Sequence, residues 1–326
     1  MALDDSSAEI VFGPVPSRRL GRSVGINNVP PKTCSYACIY CQVGPAPPKD
    51  VLPRSFYSPA EVAAVVSERV RSVTAAGDTI DYLTFVPDGE PTLDVGLAEE
   101  ITLLRPLGID VAVITNASLI SRPDVRATLA LADWVSVKVD SVDEGIWRRV
   151  NHPHQALQLE DILHGITAFS RDFDGVLTTE TMLVAGVNNG DEPIRQVADF
   201  LAGLDVAVSY ISVPTRPPAV RGVRPPSAEA INAAFQLMQQ RLLQVEMLIG
   251  YEGDNFASTG DPVADLLSIC AVHPMRRSAV ESLLAQTGAN WDTVGALVAG
   301  GRLVETDFEG HRYYLRPIAA LRPPTS

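Results

Sequence analysis

Strand-like and helix-like segments alternate along most of the chain, and this alternation restricts the fold more than any other feature. Short β-branched runs such as "DYLTFV", "DVAVIT" and "WVSVKV" each come before a longer amphipathic stretch. Strands that alternate with helices of about ten or more residues indicate a parallel sheet built from right-handed βαβ units. With a first strand near "SVGIN", the chain contains about six such units, fewer than the eight of a closed barrel. We therefore predict an α/β fold with a partial (β/α)6 barrel.

The first long helix of this series has recognisable ends. Ser58 is a typical N-cap, Pro59 fits the first helical turn, and Glu61 completes a capping box. Gly77 is placed to end the helix. The valines between these ends fall on one stripe and predict a buried face: Val62, Val65, Val66, Val70 and Val73.

The pattern changes near the end of the chain. Residues 262–317 fit three helices followed by two short strands, "GRLVETD" and "HRYYLRP", around the turn "FEG". This order is typical of a winged helix-turn-helix; a small accessory domain is the alternative. We predict a barrel domain over residues 1–257 and a winged-helix-like domain over residues 258–326. The candidate recognition helix "NWDTVGALVAG" contains no Lys or Arg, so a protein or peptide contact, or a lid over the barrel, fits better than nucleic acid.

Composition and charge narrow the possible partners. The formal net charge is −13, whereas nucleic-acid binding depends on a positive surface, so the charge disfavours nucleic acid as a partner. The segment "MALDDSSAEI" is acidic and lacks the apolar core of a signal peptide. The apolar run "VGALVA" is too short to span a bilayer, so no membrane contact is expected. Few cysteines suit a reducing compartment, and we expect a cytoplasmic protein.

Three of the four cysteines lie within the eight residues of "CSYACIYC": Cys34, Cys38 and Cys41. Such soft thiolate ligands select zinc, copper(I) or an iron–sulfur cluster. A closed zinc site needs a fourth ligand, and Cys270 lies far away in an apolar, helix-like segment. A four-iron cluster held by three cysteines leaves one iron open to another ligand. The spacing therefore favours an iron–sulfur cluster, with zinc or a structural role as the alternative.

The spacing CxxxCxxC, with Tyr40 before the third cysteine, resembles the radical S-adenosylmethionine (radical SAM) superfamily. In that superfamily the three cysteines hold a 4Fe–4S cluster whose open iron binds SAM. Reduction cleaves SAM to a 5′-deoxyadenosyl radical that abstracts hydrogen, and an external flavodoxin or ferredoxin type protein donates the electron. The resemblance implies that Cys34, Cys38 and Cys41 are the metal ligands of a radical SAM enzyme, with Tyr40 near the adenine.

Other segments extend this resemblance over about residues 10 to 250. In "TFVPDGEPTL", Gly89 and Glu90 match the motif that binds the SAM amino group, and Asp88 replaces the usual first glycine. Further candidates for SAM contacts lie where later strands end: Asn116 in "VITNAS", Ser136 and Lys138 in "WVSVKVDS", and Asn188 in "LVAGVNNGDE".

Several of these residues have a structural alternative. Glu90 suits a helix N-terminus, Asp88 suits a turn or a supporting contact, and Asn116 and Asn188 suit loops. Strand alternation places Ser136, Lys138 and Asp140 on one face.

Lys138 is a catalytic-site candidate for the SAM carboxylate or a substrate anion. An ion pair with Asp140 or Glu180 is its alternative role. For the strand "VLTTETMLV" the sequence does not choose which face points inward.

Arginines supply the candidate substrate contacts. Arg18, Arg19 and Arg22 in "PSRRLGR" come just before the first predicted strand, and Arg216 follows the sixth. Guanidinium groups suit recognition of carboxylate or phosphate, although a solvated basic segment has the same composition.

Within the superfamily, "FGPVPSRRLGRSVGINNVPPKTCSYACIYCQ" and "LIGYEGDNFASTGD" are similar to a wyosine-synthetase-like, tRNA-modifying group. Members of that group carry a second cysteine cluster, which cannot form here because only Cys270 remains beyond the triad. The acidic charge also disfavours tRNA. We therefore expect a small anionic substrate, followed by a peptide and then by tRNA. A non-catalytic iron–sulfur or zinc regulator is the alternative from another functional class.

Overall fold

The computed structural model describes residues 10–42, 49–218, 220–249, 256, 258, 260–272 and 274–317. In this part of the chain, eight strands form one sheet whose spatial order follows the sequence. The first two strands are antiparallel, and every later pair is parallel. The strands are β1 (Val11–Ser17), β2 (Gly21–Ile26), β3 (Tyr82–Phe85), β4 (Asp110–Thr115), β5 (Trp134–Lys138), β6 (Val176–Met182), β7 (Val208–Ser212) and β8 (Val245–Leu248).

Helices connect the successive parallel strands. They are α1 (Pro59–Ala75), α2 (Leu97–Leu104), α3 (Pro123–Leu129), α4 (Glu144–Asn151), α5 (Leu159–Asp172), α6 (Asp191–Leu201) and α7 (Ala228–Gln239). The sheet curls into a half-barrel, which confirms the predicted partial barrel. Each predicted strand is present. Within this sheet and its helices, two strands, β1 and β8, and the short helix α4 were not predicted.

Helix α1 begins at Pro59 as predicted, but the capping box does not form. Ser58 occupies the N-cap position, but its hydroxyl accepts no hydrogen bond from the backbone of the first turn. The valine stripe is buried as expected, apart from Val65, which is half-buried. Packing of this apolar face, more than the cap, therefore holds the helix on the sheet.

The two faces of the sheet have different surroundings. Val113, Val135 and Val137 belong to the large apolar core that includes the helices. The opposite face lines the inside of the half-barrel, where Trp134 and Tyr210 form a separate apolar cluster. This cluster also includes Leu20 from the β1–β2 turn, so that turn closes the barrel at the amino ends of the parallel strands.

The C-terminal region has its own apolar core and a small antiparallel sheet. Its elements are α8 (Pro262–Val272), β9 (Met275–Arg276), α9 (Arg277–Thr287), α10 (Trp291–Ala299), β10 (Val304–Phe308) and β11 (His311–Leu315). The strands lie in the order β10-β11-β9, and α8 packs against β1. The three helices and the hairpin agree with the sequence, whereas the winged-helix assignment and the boundary at 257/258 stay predictions. None of the described helices is both long and apolar enough to cross a membrane.

Candidate active site

The cysteine loop follows β2 and lies at the carboxyl ends of the parallel strands. Cys34, Cys38 and Cys41 are half-buried there. The end of α4 supports the loop, because the Ile39 N–H donates to the Val150 carbonyl at 2.9 Å and the Ala37 N–H donates to the Asn151 carbonyl at 3.0 Å. A helix that was not predicted therefore positions the three thiols.

Two asparagine amides point at the cysteine sulfurs. Asn116 Nδ2 lies 3.5 Å from Cys34 Sγ, and Asn151 Nδ2 lies 3.4 Å from Cys38 Sγ. Hydrogen bonds to the sulfurs stabilise thiolates and tune the reduction potential of an iron–sulfur cluster. The sequence indicated Asn116 but not Asn151. The local signal that could have located Asn151 is Asp143, which caps the start of α4, the helix that Asn151 ends.

The protein environment keeps the Cys34 and Cys38 thiols protonated. Burial, followed by the charge of Asp140, raises the pKa of Cys38 to about 12. Burial also raises the pKa of Cys34, and the neighbouring Cys38 and Glu90 add to this shift. Iron binds cysteine in the thiolate form. A bound iron cation would supply the positive charge that offsets the cost of burying these thiolates.

Cys38 and Cys41 both raise the pKa of Cys34, so the three thiols interact electrostatically. No three His, Cys, Asp or Glu side chains within the described ranges converge closely enough to hold a single metal ion. A cluster whose irons are each bound by a different thiolate does not need that convergence. The donor set therefore fits a cluster of several irons.

The segment Asp88–Glu90 clamps the cysteine loop through its backbone. The Lys32 N–H donates to the Asp88 carbonyl at 2.6 Å, and the Glu90 N–H donates to the Thr33 carbonyl at 2.9 Å. A Cβ atom on Gly89 would lie 2.0 Å from the Thr33 carbonyl oxygen, so only glycine permits this approach. The motif that was predicted to bind SAM thus also holds the cysteine loop in place.

Glu90 is fully buried and joins the ends of β3 and β4. Its Oε1 accepts hydrogen bonds from the Thr92 N–H, the Thr92 hydroxyl and, at 2.6 Å, the Thr115 hydroxyl. Its Oε2 accepts one from the Asn116 N–H at 2.7 Å. Burial raises the pKa of Glu90, although these hydrogen bonds oppose the shift. Glu90 also caps the short 3₁₀ turn Pro91–Leu93, so its structural alternative is present, and the SAM contact stays a prediction.

Asn116 links the end of β4 to the cysteine loop. Its Nδ2 donates to the Ser35 hydroxyl at 3.0 Å, and its Oδ1 accepts from the Ser118 N–H at 2.8 Å. The second bond is the loop-capping role considered as its alternative. The expected ribose contact stays a prediction.

A buried polar network lies beneath the cysteine loop. The Tyr40 hydroxyl donates to Asp140 Oδ2, which also accepts from Asn151 Nδ2 at 2.7 Å. The other oxygen of Asp140 accepts from the Met182 N–H at 2.8 Å. Burial raises the pKa of Tyr40 well above its usual value, so the phenol stays protonated. This network connects the third-cysteine end of the loop to β5, α4 and β6.

Lys138 and Glu180 form an ion pair inside the half-barrel. Lys138 Nζ donates to Glu180 Oε1 at 2.8 Å, and Arg19 binds the other carboxylate oxygen. Burial disfavours the charges, but the two cations outweigh it and hold the pKa of Glu180 well below its usual range. The same attraction raises the pKa of Lys138 against burial. The ion-pair alternative for Lys138 is therefore present with Glu180, and Glu180 settles which face of β6 points inward.

Ser136 and Asn188 occupy different positions in this site. Ser136 lies on the same strand face as Lys138, and its buried hydroxyl has no hydrogen-bond partner among the described residues. Asn188 is buried in the loop after β6. Its amide donates to the carbonyls of Asp140 and Met182 at 2.9 and 2.8 Å, so it orders the strand ends. Its adenosine contact stays a prediction.

The structure places the candidate substrate arginines in different parts of the barrel, and their substrate contacts stay a prediction. Arg18 lies in the β1–β2 turn, and Arg22 at the start of β2 is 2.8 Å from Asp78. Both positions are at the amino end of β2, whereas the cysteine loop leaves its carboxyl end. Arg19 lies in the same β1–β2 turn as Arg18 and binds Glu180 inside the half-barrel. Arg216 does lie at the site, where it donates to Gln42 Oε1 at 3.0 Å, directly after the third cysteine.

Comparisons with known proteins agree with this geometry. Residues 28–201, more than half of the chain, match the radical SAM superfamily. The UPF0026 protein of Methanocaldococcus jannaschii is 42% identical over 95% of this chain and 96% of its own length. Among solved structures, a radical SAM methyltransferase from Sphaerobacter thermophilus has a TM-score of 0.51 at 17% identity, covering 69% of this chain and 66% of that one.

Streptococcus suis SuiB, solved with its precursor peptide, has a TM-score of 0.54 at 12% identity, covering 82% of this chain and 65% of that one. At such identities these structures show the shared fold alone. The sequence matches carry the assignment further: the chain belongs to the radical SAM superfamily, is similar along its length to a UPF0026 protein, and is an enzyme.

Proposed function

We propose that Cys34, Cys38 and Cys41 hold a 4Fe–4S cluster at which SAM is reductively cleaved, and that the enzyme abstracts hydrogen from a small anionic substrate. The observation that carries this proposal is the arrangement of three half-buried thiols on one loop, with amide donors directed at two of their sulfurs. The cluster, when bound, would supply the electron that cleaves SAM. An external flavodoxin or ferredoxin type protein would deliver that electron.

The residues around the thiols would prepare the site for the cluster. Asn116 and Asn151 donate toward the sulfurs and would offset part of the thiolate charge. Gly89 and Glu90 hold the loop against β3 and β4, so the thiols are positioned before any ligand arrives. Such preorganisation lowers the cost of ordering the site on binding.

The interior of the half-barrel offers groups for an anion such as the SAM carboxylate. Lys138 carries three N–H donors, and its bond to Glu180 uses one of them. The buried Ser136 hydroxyl on the same face has no hydrogen-bond partner among the described residues. A hydrogen bond from this hydroxyl to a bound anion would remove the cost of leaving it unpaired. We assign Lys138 and Ser136 to this anion, with Glu90 and Gly89 near the SAM amino group and Tyr40 near the adenine.

Apolar side chains surround the cysteine loop and would exclude water from the reaction. Ile39 and Tyr40 pack with Val150, Met182 and Val223 in one buried cluster. The loop after β7 contributes Val223 to this cluster. A dry site protects a reactive intermediate from side reactions.

Electron paramagnetic resonance of the anaerobically reconstituted, dithionite-reduced protein tests this proposal. We expect the signal of a reduced 4Fe–4S cluster whose g-values change when SAM is added. Cys38→Ala should lose the SAM-responsive signal, whereas Cys270→Ala should keep it, because Cys270 lies in the apolar core of the C-terminal region. An unchanged signal in Cys38→Ala, or a wild-type signal that ignores SAM, would refute the proposal.

A further inference from the structure

Asp140 follows β5 and is a buried carboxylate whose two oxygens both accept hydrogen bonds. Its Oδ1 accepts from the Met182 N–H at 2.8 Å. Its Oδ2 accepts from the Tyr40 hydroxyl and, at 2.7 Å, from Asn151 Nδ2. These donors belong to the end of β6, to the cysteine loop and to the end of α4. Three separate segments therefore fix the Asp140 side chain in place.

The side-chain amide of Asn151 can present either its nitrogen or its oxygen to Asp140. A carboxylate only accepts hydrogen bonds, so the amide nitrogen must face it. In this orientation Nδ2 lies 3.4 Å from Cys38 Sγ, a normal length for a bond to the larger sulfur atom. It also lies 3.4 Å from the Tyr40 hydroxyl oxygen, which is long for an N–H···O bond. One N–H thus binds Asp140, and the other is directed at the sulfur.

The oxygen of the same amide shows what this orientation costs. Asn151 Oδ1 is buried and has no hydrogen-bond partner within the described ranges, and leaving a buried acceptor unpaired is unfavourable. The reversed amide would place this oxygen against the Asp140 carboxylate and lose the bond at 2.7 Å, which is worse because hydrogen bonds to charged groups are the stronger ones. The carboxylate therefore determines which end of the amide faces the cysteine loop.

We propose that Asp140 is a positioning residue for the cluster: by fixing the Asn151 amide, it directs an N–H donor at the Cys38 sulfur and so raises the reduction potential. This inference rests on the proposed function, which supplies the cluster. A donor to a ligand sulfur stabilises the charge of the added electron and favours the reduced form. The negative charge of Asp140 acts in the opposite direction. Only the hydrogen-bond contribution depends on Asn151, and this difference separates the two effects.

Replacing Asp140 with asparagine should reverse the neighbouring amide. The Met182 N–H belongs to the backbone and cannot turn, so the oxygen of the new side chain stays on it and the new NH2 group faces Asn151. Asn151 then turns its own oxygen toward that NH2 group and no longer donates to Cys38. The variant keeps the shape of the side chain and a hydrogen bond at each end, so we expect it to fold.

The reduction potential of the full-length, reconstituted protein, followed by electron paramagnetic resonance, tests this positioning. Asn151→Ala should lower the potential of the wild type but leave that of Asp140→Asn nearly unchanged, because the donor is already turned away. Asp140→Ala removes the acceptor without supplying a donor and should also reduce the effect of Asn151→Ala. The matched control is Asp143→Asn, which removes the same charge from an exposed position that caps the start of the same helix. In that background Asn151→Ala should lower the potential as in the wild type.

An equal effect of Asn151→Ala in the wild type and in Asp140→Asn would overturn the positioning role, as would a wild-type potential that Asn151→Ala does not change. Thermal unfolding and iron content confirm that each variant folds and carries its cluster. If the two substitutions depend on each other but the cluster signal ignores added SAM, the proposed function fails and the positioning role stands. If SAM changes the signal but the substitutions act independently, the positioning role fails and the proposed function stands.

Discussion

Replacing Gly89 with alanine tests how the cysteine loop is held. The new Cβ would lie 2.0 Å from the Thr33 carbonyl oxygen and 2.9 Å from its carbonyl carbon. These are backbone atoms, so no side-chain rotation can relieve the overlap. Reaching an ordinary contact of about 3.5 Å requires a shift of about 1.5 Å in the loop, one residue before Cys34.

The energetic cost follows from that shift. Forced overpacking in a well-packed region costs about 1–3 kcal/mol. The Thr33 carbonyl also accepts the Glu90 N–H at 2.9 Å, and a displacement of this size would break that bond at a cost of about 1 kcal/mol. We therefore expect Gly89→Ala to lower the free energy of unfolding by about 2–4 kcal/mol.

Urea unfolding of the apo protein, followed by circular dichroism, measures this loss, and iron content after reconstitution reports on the loop. The matched control is Gly295→Ala in α10, where an added Cβ meets no described atom within 4 Å apart from the backbone of its own helix. That change should stabilise the protein by about 0.5–1 kcal/mol, because alanine favours a helix interior. A Gly89→Ala protein with unchanged stability and full iron content would refute the close-packing argument.

Three further changes test other parts of the site. Glu180→Gln removes the carboxylate that pairs with both Lys138 and Arg19 inside the barrel, so urea unfolding near pH 7 should show a loss of about 3–5 kcal/mol; no loss would contradict the buried triad. Burial raises the pKa of Asp88 from 3.8 to about 7. The contribution of this carboxyl to folding stability is therefore greatest below pH 4, where it is protonated, and is lost as the pH rises through 7. Asp88→Asn should remove this pH dependence in unfolding curves measured from pH 4 to 8, and an unchanged slope would contradict it. Asn151→Ala removes the donor toward a cysteine sulfur and should lower the cluster reduction potential by about 20–40 mV in a redox titration, the equivalent of about 0.5–1 kcal/mol; an unchanged potential would contradict that role.

The sequence predicts the parts of the fold that depend on local periodicity. The strands from β2 to β7 each carry enough β-branched residues to be recognised, and the alternation in β5 places Ser136 and Lys138 on one face, as the structure shows. The edge strand β8, "VEML", does not alternate between apolar and polar residues and so gives no periodic signal. In the other edge strand, β1, prolines mask the pattern.

Contacts between distant segments are less accessible to sequence reasoning. Arg19 meets Glu180 only because the β1–β2 turn folds back under the barrel, and nothing local in "PSRRLGR" indicates this. Asn151 reaches the sulfur of Cys38 from a helix more than a hundred residues away in the sequence. The sequence offers Asp140 and Glu180 as possible partners of Lys138. In the folded protein the hydrogen-bonded partner is Glu180.

Formation of 5′-deoxyadenosine tests the central claim most directly. The reconstituted protein would be reduced with dithionite under anaerobic conditions, mixed with SAM, and its products quantified by mass spectrometry. The wild type and Cys270→Ala should form 5′-deoxyadenosine and methionine in equal amounts, whereas Cys34→Ala, Cys38→Ala and Cys41→Ala should form neither above the background of dithionite alone. A wild-type protein that carries a complete cluster yet leaves SAM intact with every reductant tried would contradict the account.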